Sequence, residues 1–316
     1  MTIDASAGPQ LGLVLPPAVP PQFMWPAVEL AEAGGIDSIW VTDGTLAAIP
    51  ILDSMSLLGA LAARTSRVRI GTSVIAIARR NPVLLAHAFA TAQFLSGGRV
   101  VAGVGLGGVA APAEYELCGM TTRERAAVTD EYIPLMRRLW TEETVHHAGP
   151  SYACHDVQVH PRPEVPIPIW VGGYTPAAYR RAGRFGDGFL AAMLGPDAFR
   201  AAMDQVHAEA VASGRDPADI EPGVYLFSAI GRREGEAEAF LDPIMRGIFG
   251  AGLDAMGDAC LYGTPDQWVD RIGRFGEAGA RTVAFLLFTA DLVGDVELIT
   301  TAVRPQVASA VPLAGV

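Results

Sequence analysis

Residues 68–108 read VRIGTSVIAIARRNPVLLAHAFATAQFLSGGRVVAGVGLGG, and this stretch decides the fold class. It begins with an apolar run from Val68, continues with a helical pattern from Pro82 to Leu95, and ends with a second apolar run from Arg99. Continuous apolar runs are typical of parallel strands that are covered on both faces, whereas the segment between them follows the 3.6-residue period of a helix. The stretch therefore predicts a strand, a helix and a second strand.

The same alternation extends along the chain. Apolar runs begin at Leu11, Ser38, Val68, Arg99, Ile167, Asp187, Val224 and Thr282. Helical patterns cover PAVELAEAGG from Pro26 and residues 53–64, 82–95, 123–140, 175–185, 197–213 and 266–278, and glycines at 34, 35, 97, 98, 186 and 279 end several of them. Eight strands, most of them followed by a helix, predict an α/β fold of the (β/α)₈ TIM-barrel type, with a doubly wound sheet as the alternative. We expect a single domain, residues 1–316, with insertions at about 141–166 and 231–263.

Composition and charge exclude several classes of function. The chain has 316 residues, 50% hydrophobic residues, a net charge of -11 and 23 basic residues, all of them arginine. Without lysine there is no Schiff base, no pyridoxal-phosphate anchor and no P-loop. The acidic balance opposes nucleic-acid binding, since phosphates would be repelled.

Cysteine and histidine positions give no metal or disulfide signature. Cys118, Cys154 and Cys260 lie far apart, and the histidines of residues 146–160 lack the spacing that brings ligands together, so a polar hairpin or loop is the preferred interpretation. The acidic first residues and the lack of a long apolar run lead us to expect neither export nor a membrane span. We expect a cytoplasmic protein without a metal site.

The residues that follow the predicted strands are candidates for the site, because a barrel of this type places its chemistry at the carboxyl ends of its strands. These ends carry Leu15, Asp43-Gly44, Ser73-Val74, the run Gly103 to Gly108, and Gly172-Gly173-Tyr174-Thr175. Small residues there let a flat ligand approach the backbone closely. Gly103, Gly105 and Gly108 match GxGxxG, but no helix follows at once, so tight packing of the strand end is the preferred explanation over a dinucleotide site.

The sequence GGYTP offers a phosphate site. Gly172 and Gly173 end a predicted strand, while Thr175 and Pro176 fit the N-cap and first position of a helix. Free N–H groups at a helix start bind phosphate, although a plain capped turn would give the same pattern.

Several motifs in order resemble the luciferase-like monooxygenase superfamily, whose barrels bind FMN or the deazaflavin F420, and the resemblance is strongest to its F420-dependent branch. They are IWVTDG, GTSVIAIARRNPVLLAHAFATAQFLSGGRVVAGVGLG, RERAAVTDEYIPLMRRLWTEE, PIPIWVGGYTPAAYRRAGRFGDGF and YGTPDQWVDRIGRFGEAGA. Together they span nearly the whole chain.

The resemblance implies a flavin-type ring at the barrel mouth, held by a bulge with a cis peptide at Ser73-Val74, and a cofactor phosphate against residues 172–175. The implied cofactor-binding residues are Leu15, Asp43, Gly44, Ser73, Val74, Gly105, Gly107, Gly172, Gly173, Tyr174 and Thr175. Asp43 and Tyr174 are the catalytic candidates, as relays of a proton, and a structural role for Asp43 is the alternative. We interpret Glu114 and Glu116 as solvated acids.

Two departures from the family pattern bear on the reaction. Gly44 stands where the family's dehydrogenases usually have a histidine after the aspartate, and Gly108 stands where some have a glutamate. Removing hydride from an alcohol requires a base for the hydroxyl proton, so these glycines argue against alcohol oxidation. The leading hypothesis is an oxidoreductase that transfers hydride from reduced F420 to an unsaturated small molecule. An FMN-dependent monooxygenase and a non-catalytic flavin-binding protein are the alternatives. The family also suggests a homodimer and a separate flavin or F420 reductase as partner.

Overall fold

The computed structural model describes residues 8–17, 19–46, 50–108 and 111–309. Within these residues the strands are β1 (Gln10–Val14), β2 (Ser38–Val41), β3 (Arg69–Thr72), β4 (Ile75–Ala76), β5 (Val100–Gly105), β6 (Val145–Ala148), β7 (Ala153–Val157), β8 (Ile169–Gly173), β9 (Gly188–Ala192), β10 (Glu221–Ile230), β11 (Cys260–Gly263) and β12 (Thr282–Leu287). The helices are α1 (Pro21–Ala33), α2 (Ser54–Arg64), α3 (Pro82–Ser96), α4 (Ala111–Leu117), α5 (Arg125–Thr141), α6 (Pro176–Phe185), α7 (Pro196–Ala212), α8 (Glu236–Phe249), α9 (Leu253–Met256), α10 (Pro265–Glu277), α11 (Leu292–Leu298) and α12 (Arg304–Ser309).

Eight parallel strands close into a barrel. Their order is β1, β2, β3, β5, β8, β9, β10 and β12, and β12 pairs with β1 to complete the circle. The predicted (β/α)₈ TIM barrel is therefore confirmed, and the doubly wound alternative is wrong. β11 extends the sheet beside the end of β10, because β10 is longer than β9 and leaves its residues from Phe227 onward unpaired on that side.

Two indole rings are the largest side chains of the buried layer inside the barrel. Trp40 and Trp170 lie with ring centroids 5.3 Å apart. Neighbouring strands carry glycines beneath these rings: a Cβ on Gly71 would lie 2.7 Å from the Trp40 ring, and one on Gly223 would lie 2.8 Å from the Trp170 ring. Since interiors pack at crystal density, these rings account for the glycines in the strands.

The amino-terminal end of the barrel is closed by a polar cluster. Arg69 makes a bidentate ion pair with Glu221, with N···O distances of 2.8 and 3.0 Å, and it also donates to Gln10 Oε1 at 2.8 Å. Charge-assisted pairs of this geometry are the strong ones. The barrel is thus polar at this end and apolar in the middle.

Helix ends follow the predictions in part. The helix predicted from Pro26 begins five residues earlier, at Pro21, and keeps Pro26 inside it. Gly97 adopts the left-handed conformation of a C-cap, with a φ of 66°. Gly186 does not, since its φ and ψ of -81° and 144° are extended; a Cβ there would approach the Gly188 carbonyl oxygen to 2.8 Å.

The two long connections contain secondary structure of their own. The first forms the hairpin of β6 and β7, which is attached to α5 by a contact of 2.9 Å between His147 and Glu131. The preferred interpretation of residues 146–160 as a polar hairpin is confirmed, and within the described residues no group of acidic, histidine or cysteine side chains could hold a metal. The second connection contains α8, α9 and β11. None of the helices in the described ranges has the length and apolar character needed to cross a bilayer.

Candidate functional site at the barrel mouth

A bulge interrupts the third barrel strand. The apolar run from Val68 was predicted as one strand, but it divides into β3, β4 and a short 3₁₀ turn, Ile77–Arg79, because the Ser73-Val74 peptide bond is cis. The cis bond implied by the family resemblance is thus present. The Ser73 N–H donates to the Val41 carbonyl at 2.8 Å, which ties the bulge to β2.

Glycines on the neighbouring strands make room for Val74. A Cβ on Gly172 would lie 2.6 Å from Val74 Cγ1, and one on Gly105 would collide with Val74 Cγ2. The packing of this one side chain therefore explains Gly105 and Gly172, whereas a Cβ on Gly103 would collide with the Thr72 carbonyl oxygen. The tight-packing interpretation of GxGxxG thus fits Gly103 and Gly105 but not Gly108, where a Cβ would meet no described atom within 4 Å. Binding of a cofactor by Gly105 and Gly172 stays a prediction.

Three aromatic side chains and Val74 of the bulge cover the same buried layer and form an apolar mouth. Val74, Tyr225, Phe227 and Phe288 are partly buried against the layer that contains both tryptophans. Tyr225 and Phe227 meet edge to face at 5.6 Å, and Phe227 lies 5.9 Å from Phe288. Burial raises the pKa of Tyr225, so its hydroxyl stays protonated. Sequence reasoning missed these three aromatic residues, although the alternation in VYLF puts Tyr225 and Phe227 on one face of the strand.

Asp43 is held by two arginines. Its Oδ1 accepts from Arg80 Nη2 at 2.6 Å and from Ser54 Oγ at 3.0 Å. Its Oδ2 accepts from Arg79 and from the Ala76 N–H, the latter at 3.1 Å. The carboxylate is only 3% exposed. Both oxygens therefore have their partners within the protein.

This environment determines the charge of Asp43. Burial alone would raise its pKa, but the charge and hydrogen bonds of Arg80, the charge of Arg79 and the Ala76 N–H outweigh burial and hold the pKa below its usual range. Asp43 is consequently ionised at neutral pH, a poor proton donor and a weak base. The geometry favours the structural alternative over the predicted proton relay, and contact of Asp43 with a cofactor stays a prediction.

Glu114 is buried, and its interpretation as a solvated acid is wrong. It forms an ion pair with Arg79, and both side chains are 4% exposed. It also accepts hydrogen bonds from the N–H groups of Thr45 and Leu46, which follow β2. Asp43, Arg79 and Glu114 thus join the ends of β2 and β4 to α4. Glu116, in contrast, is exposed as expected.

The start of α6 has the predicted cap. Thr175 is the N-cap, its hydroxyl accepts from the Ala178 N–H at 3.4 Å, and Pro176 follows at the first helical position. Within the described part of the chain, the N–H groups of Tyr174, Thr175 and Ala177 make no hydrogen bond. Tyr174 itself is 55% exposed. This helix start can accept an anion, and phosphate binding by residues 172–175 stays a prediction.

The other predicted residues differ in what they offer. Leu15 is 2% exposed and packs in the core between barrel and helices, so its side chain is not available to a ligand; Val14 faces the interior instead. Gly44 is half-buried beside Asp43, and Gly107 is exposed. A Cβ on Gly108 would meet no described atom within 4 Å, so nothing described fills the position where some relatives carry an acid.

Two curated relatives illustrate what the chain is similar to. An F420-dependent glucose-6-phosphate dehydrogenase of Kineococcus radiotolerans is 38% identical over 165 residues, which cover 51% of this chain and 49% of the relative. A protein of the same name from Amycolatopsis mediterranei is 40% identical over 170 residues, covering 51% and 50%. The chain spans about half the length of the curated relatives it matches.

Solved structures share the fold. An F420-dependent secondary alcohol dehydrogenase in complex with an F420-acetone adduct superposes with a TM-score of 0.86 at 21% identity, covering 95% of this chain and 99% of the other. The coenzyme F420-dependent tetrahydromethanopterin reductase of Methanopyrus kandleri gives 0.79 at 20%, covering 95% and 99%. The FMN complex of the oxygenating constituent of 3,6-diketocamphane monooxygenase from Pseudomonas putida gives 0.75 at 20%, covering 94% and 98%.

The family model described as luciferase-like monooxygenase matches residues 10–252, which include the bulge, the glycines around Val74 and the capped start of α6. The chain belongs to the luciferase-like monooxygenase family.

Proposed function

We propose that the protein is an F420-dependent oxidoreductase that transfers hydride from the reduced deazaflavin to an unsaturated small molecule. The observation that carries this proposal is the apolar mouth formed by Val74, Tyr225, Phe227 and Phe288. A flat ring and an apolar acceptor can stack there with water excluded. The choice of F420 rests on the curated relatives, which are named F420-dependent.

The residues present fit such a cofactor at two points. Val74 offers a raised apolar surface beneath a ring, and the uncommitted N–H groups of Tyr174, Thr175 and Ala177 suit a phosphate. Reduced F420 supplies the hydride when it is bound. The protein orients the ring and the acceptor and excludes water.

The direction of the reaction follows from the acids and bases of the mouth. Asp43 is ionised and paired, and glycine occupies positions 44 and 108. No described group of the mouth is thus poised to remove a hydroxyl proton from an alcohol. Reduction of a conjugated C=C or C=N bond requires only hydride and a proton, which Tyr174 or water supplies. Because Asp43 is ionised, it is not a proton donor for this reaction.

Cofactor titration and turnover test the proposal. Fluorescence titration with oxidised F420 and with FMN should show saturable binding of F420 and weaker binding of FMN. Reduced F420 should be consumed with a conjugated enone or imine, while simple alcohols and glucose 6-phosphate should not reduce F420. Robust alcohol oxidation would overturn the direction of the reaction. Oxygen consumption with reduced FMN and substrate would favour the FMN-dependent monooxygenase. Cofactor binding without turnover would favour the non-catalytic flavin-binding protein.

Partners and location are part of the same proposal. We propose a homodimer, supplied with reduced cofactor by a separate reductase, in a reducing cytoplasm where Cys118, Cys154 and Cys260 remain thiols. The exposed Leu84 and Phe94 of α3 support a dimer contact. Sedimentation equilibrium of the wild type and of Phe94→Glu tests it, since a monomeric wild type would refute the dimer.

A further inference from the structure

A cavity lies at the end of the barrel opposite the mouth. It has a volume of about 470 Å³ and opens between the carboxyl-terminal ends of α5 and α6. The described residues that line it are Ile133, Pro134, Arg137, Arg138, Thr141, Arg184, Phe185, Asp187 and Arg215. Because Asp187 precedes β9, this cavity faces the amino-terminal ends of the strands, whereas the site of the proposed function lies at their carboxyl ends.

The lining has an excess of positive charge. Four arginines contribute to it, but Asp187 is the single acid among the lining residues. A second acid, Glu142, lies outside the lining and is paired with Arg138 at 2.7 Å. Asp187 is shared between Arg137 at 2.9 Å and Arg215 at 3.9 Å, so the lining keeps a net excess of two positive charges in a chain whose net charge is -11. A local cationic surface on an acidic protein selects anions against its own long-range field.

Two of the arginines are fixed by the fold. Arg215 donates to the carbonyl oxygens of Gly183 and Gly186 at 2.8 and 2.7 Å, at the end of α6. Arg137 donates through Nη2 to the Phe185 carbonyl at 3.0 Å and to Asp187 at 2.9 Å. These bonds leave the Nε and Nη1 groups of Arg137 without a described partner. The arginines are therefore held in place before any ligand arrives.

Arg184 has no such commitment. Within the described residues its guanidinium makes neither a hydrogen bond nor an ion pair, and it lies over the Phe185 ring at 4.8 Å from the centroid. All five of its N–H donors are accordingly available in a fixed fork. Arg137 from α5 and Arg184 from α6 thus offer open donors from two elements of the cavity wall.

We propose that this cavity binds a small molecule that carries a phosphomonoester. A phosphate dianion matches the net excess of two positive charges, and arginine forks bind phosphate oxygens in pairs. Ile133, Pro134 and Phe185 supply an apolar surface for the organic part of the ligand. The volume lies within the range of small-molecule sites, about 300–1,000 Å³.

The site is separate from the proposed cofactor phosphate site. The two lie at opposite ends of barrel strands such as β9, which has five residues and is thus about 17 Å long. A ligand in this cavity leaves the barrel mouth open, and its binding does not require the proposed function to be correct.

Isothermal titration with phenyl phosphate, inorganic phosphate and benzoate tests the proposal. Wild-type protein should bind phenyl phosphate saturably, with inorganic phosphate and the singly charged benzoate weaker. Arg184→Gln should weaken phenyl phosphate by roughly tenfold or more, because it removes a charge-assisted fork. Arg184→Lys should restore part of the affinity, since it keeps the charge and loses the fork.

Arg123→Gln is the matched control, because Arg123 is exposed and lies outside the cavity. It should leave the affinity within about twofold of the wild type, since screening by salt weakens distant charges. Equal thermal melting of the variants shows that the fold is intact. Equal affinities of Arg184→Gln and Arg123→Gln, binding of benzoate as tight as that of phenyl phosphate, or no saturation of the wild type up to 10 mM would each overturn the site.

Discussion

Replacing Gly172 by alanine should disturb the bulge through a single contact. The new Cβ would lie 2.6 Å from Val74 Cγ1 and 3.1 Å from Cγ2. Carbon atoms prefer separations of about 3.5–4.0 Å, so Val74 must move by about 1 Å. It cannot simply move toward β5, because Gly105 is already in close contact with Cγ2 on that side. Overpacking of this kind lowers the free energy of unfolding by about 1–3 kcal/mol.

The double variant isolates that contact. Val74→Ala removes two methyl groups, which in a half-buried position contribute less than about 1.6 kcal/mol. When it is combined with Gly172→Ala, the collision disappears, so the double variant should be more stable than the sum of the single effects by about 1 kcal/mol or more. Urea unfolding of the cofactor-free protein measures all four proteins of the cycle.

Cofactor affinity should follow the same cycle if the ring rests on Val74. Each 1.4 kcal/mol lost from binding raises Kd about tenfold, so Gly172→Ala should bind F420 about tenfold more weakly, with partial recovery in the double variant. Gly108→Ala is the control, because its Cβ meets no described atom within 4 Å, and it should change neither quantity. Strictly additive changes in the free energy of unfolding, or an F420 affinity that Gly172→Ala leaves unchanged, would refute this explanation of the bulge.

Three further variants test the rest of the mouth. Ala177→Asp should weaken the binding of F420 at least tenfold relative to Ala177→Asn but leave the binding of a dephosphorylated analogue unchanged. Because an acid at a helix start is favourable, the free energy of unfolding should stay equal or rise by about 0.5 kcal/mol. Equal losses of affinity for both ligands would exclude a phosphate role. Asp43→Asn should be less stable than the wild type at pH 7, and this difference in the free energy of unfolding should narrow by pH 3. A carboxylate with a lowered pKa stabilises the fold above its unfolded pKa and loses that contribution as pH falls through its folded pKa. A difference independent of pH in urea unfolding would count against this explanation. Glu114→Gln should lower the free energy of unfolding by about 1–3 kcal/mol, since Arg79 loses one of its two buried charged partners. It should also speed hydrogen exchange of the Thr45 and Leu46 amides, which donate to Glu114. Unchanged exchange would contradict the anchoring role.

The barrel and the α6 cap could be predicted from the sequence because both depend on local patterns. Apolar runs and helical periods identify the strands and helices, and Thr175-Pro176 marks a helix start irrespective of its surroundings. The bulge at Ser73-Val74 was different, because no local pattern distinguishes its apolar run from one uninterrupted strand. Only the family resemblance implied the cis bond.

The buried charge network could not be predicted in the same way. Asp43, Arg79 and Glu114 are 36 and 35 residues apart, and an acid in a short helix is ordinarily solvated. The available signal was the spacing of Ala111, Glu114 and Tyr115, which puts all three on one face of α4, and all three are buried. That this face is buried depends on Arg79, which packs against it from a distant part of the chain, and the sequence alone does not show this contact. The glycine at 173 shows the same limit: its φ of 146° and the 2.6 Å from its Cβ position to Ala178 Cβ make any substitution there a structural change, so Ala177 is the better test of phosphate binding.

The layers of the barrel interior also limit where a proton for the reaction can enter. Arg69 and Glu221 close the amino-terminal end, and the rings of Trp40 and Trp170 fill the space above them. Closely packed apolar rings give a buried water no polar partners, so this layer disfavours a chain of water from that end. In the proposed reaction we therefore expect the proton to arrive from the mouth, where Tyr174 is exposed. Tyr225 lies deeper, and because burial raises its pKa, its hydroxyl keeps its proton at neutral pH. If the proposed function is correct, the ordering of polar, indole and aromatic layers thus favours protonation of the acceptor from the solvent side.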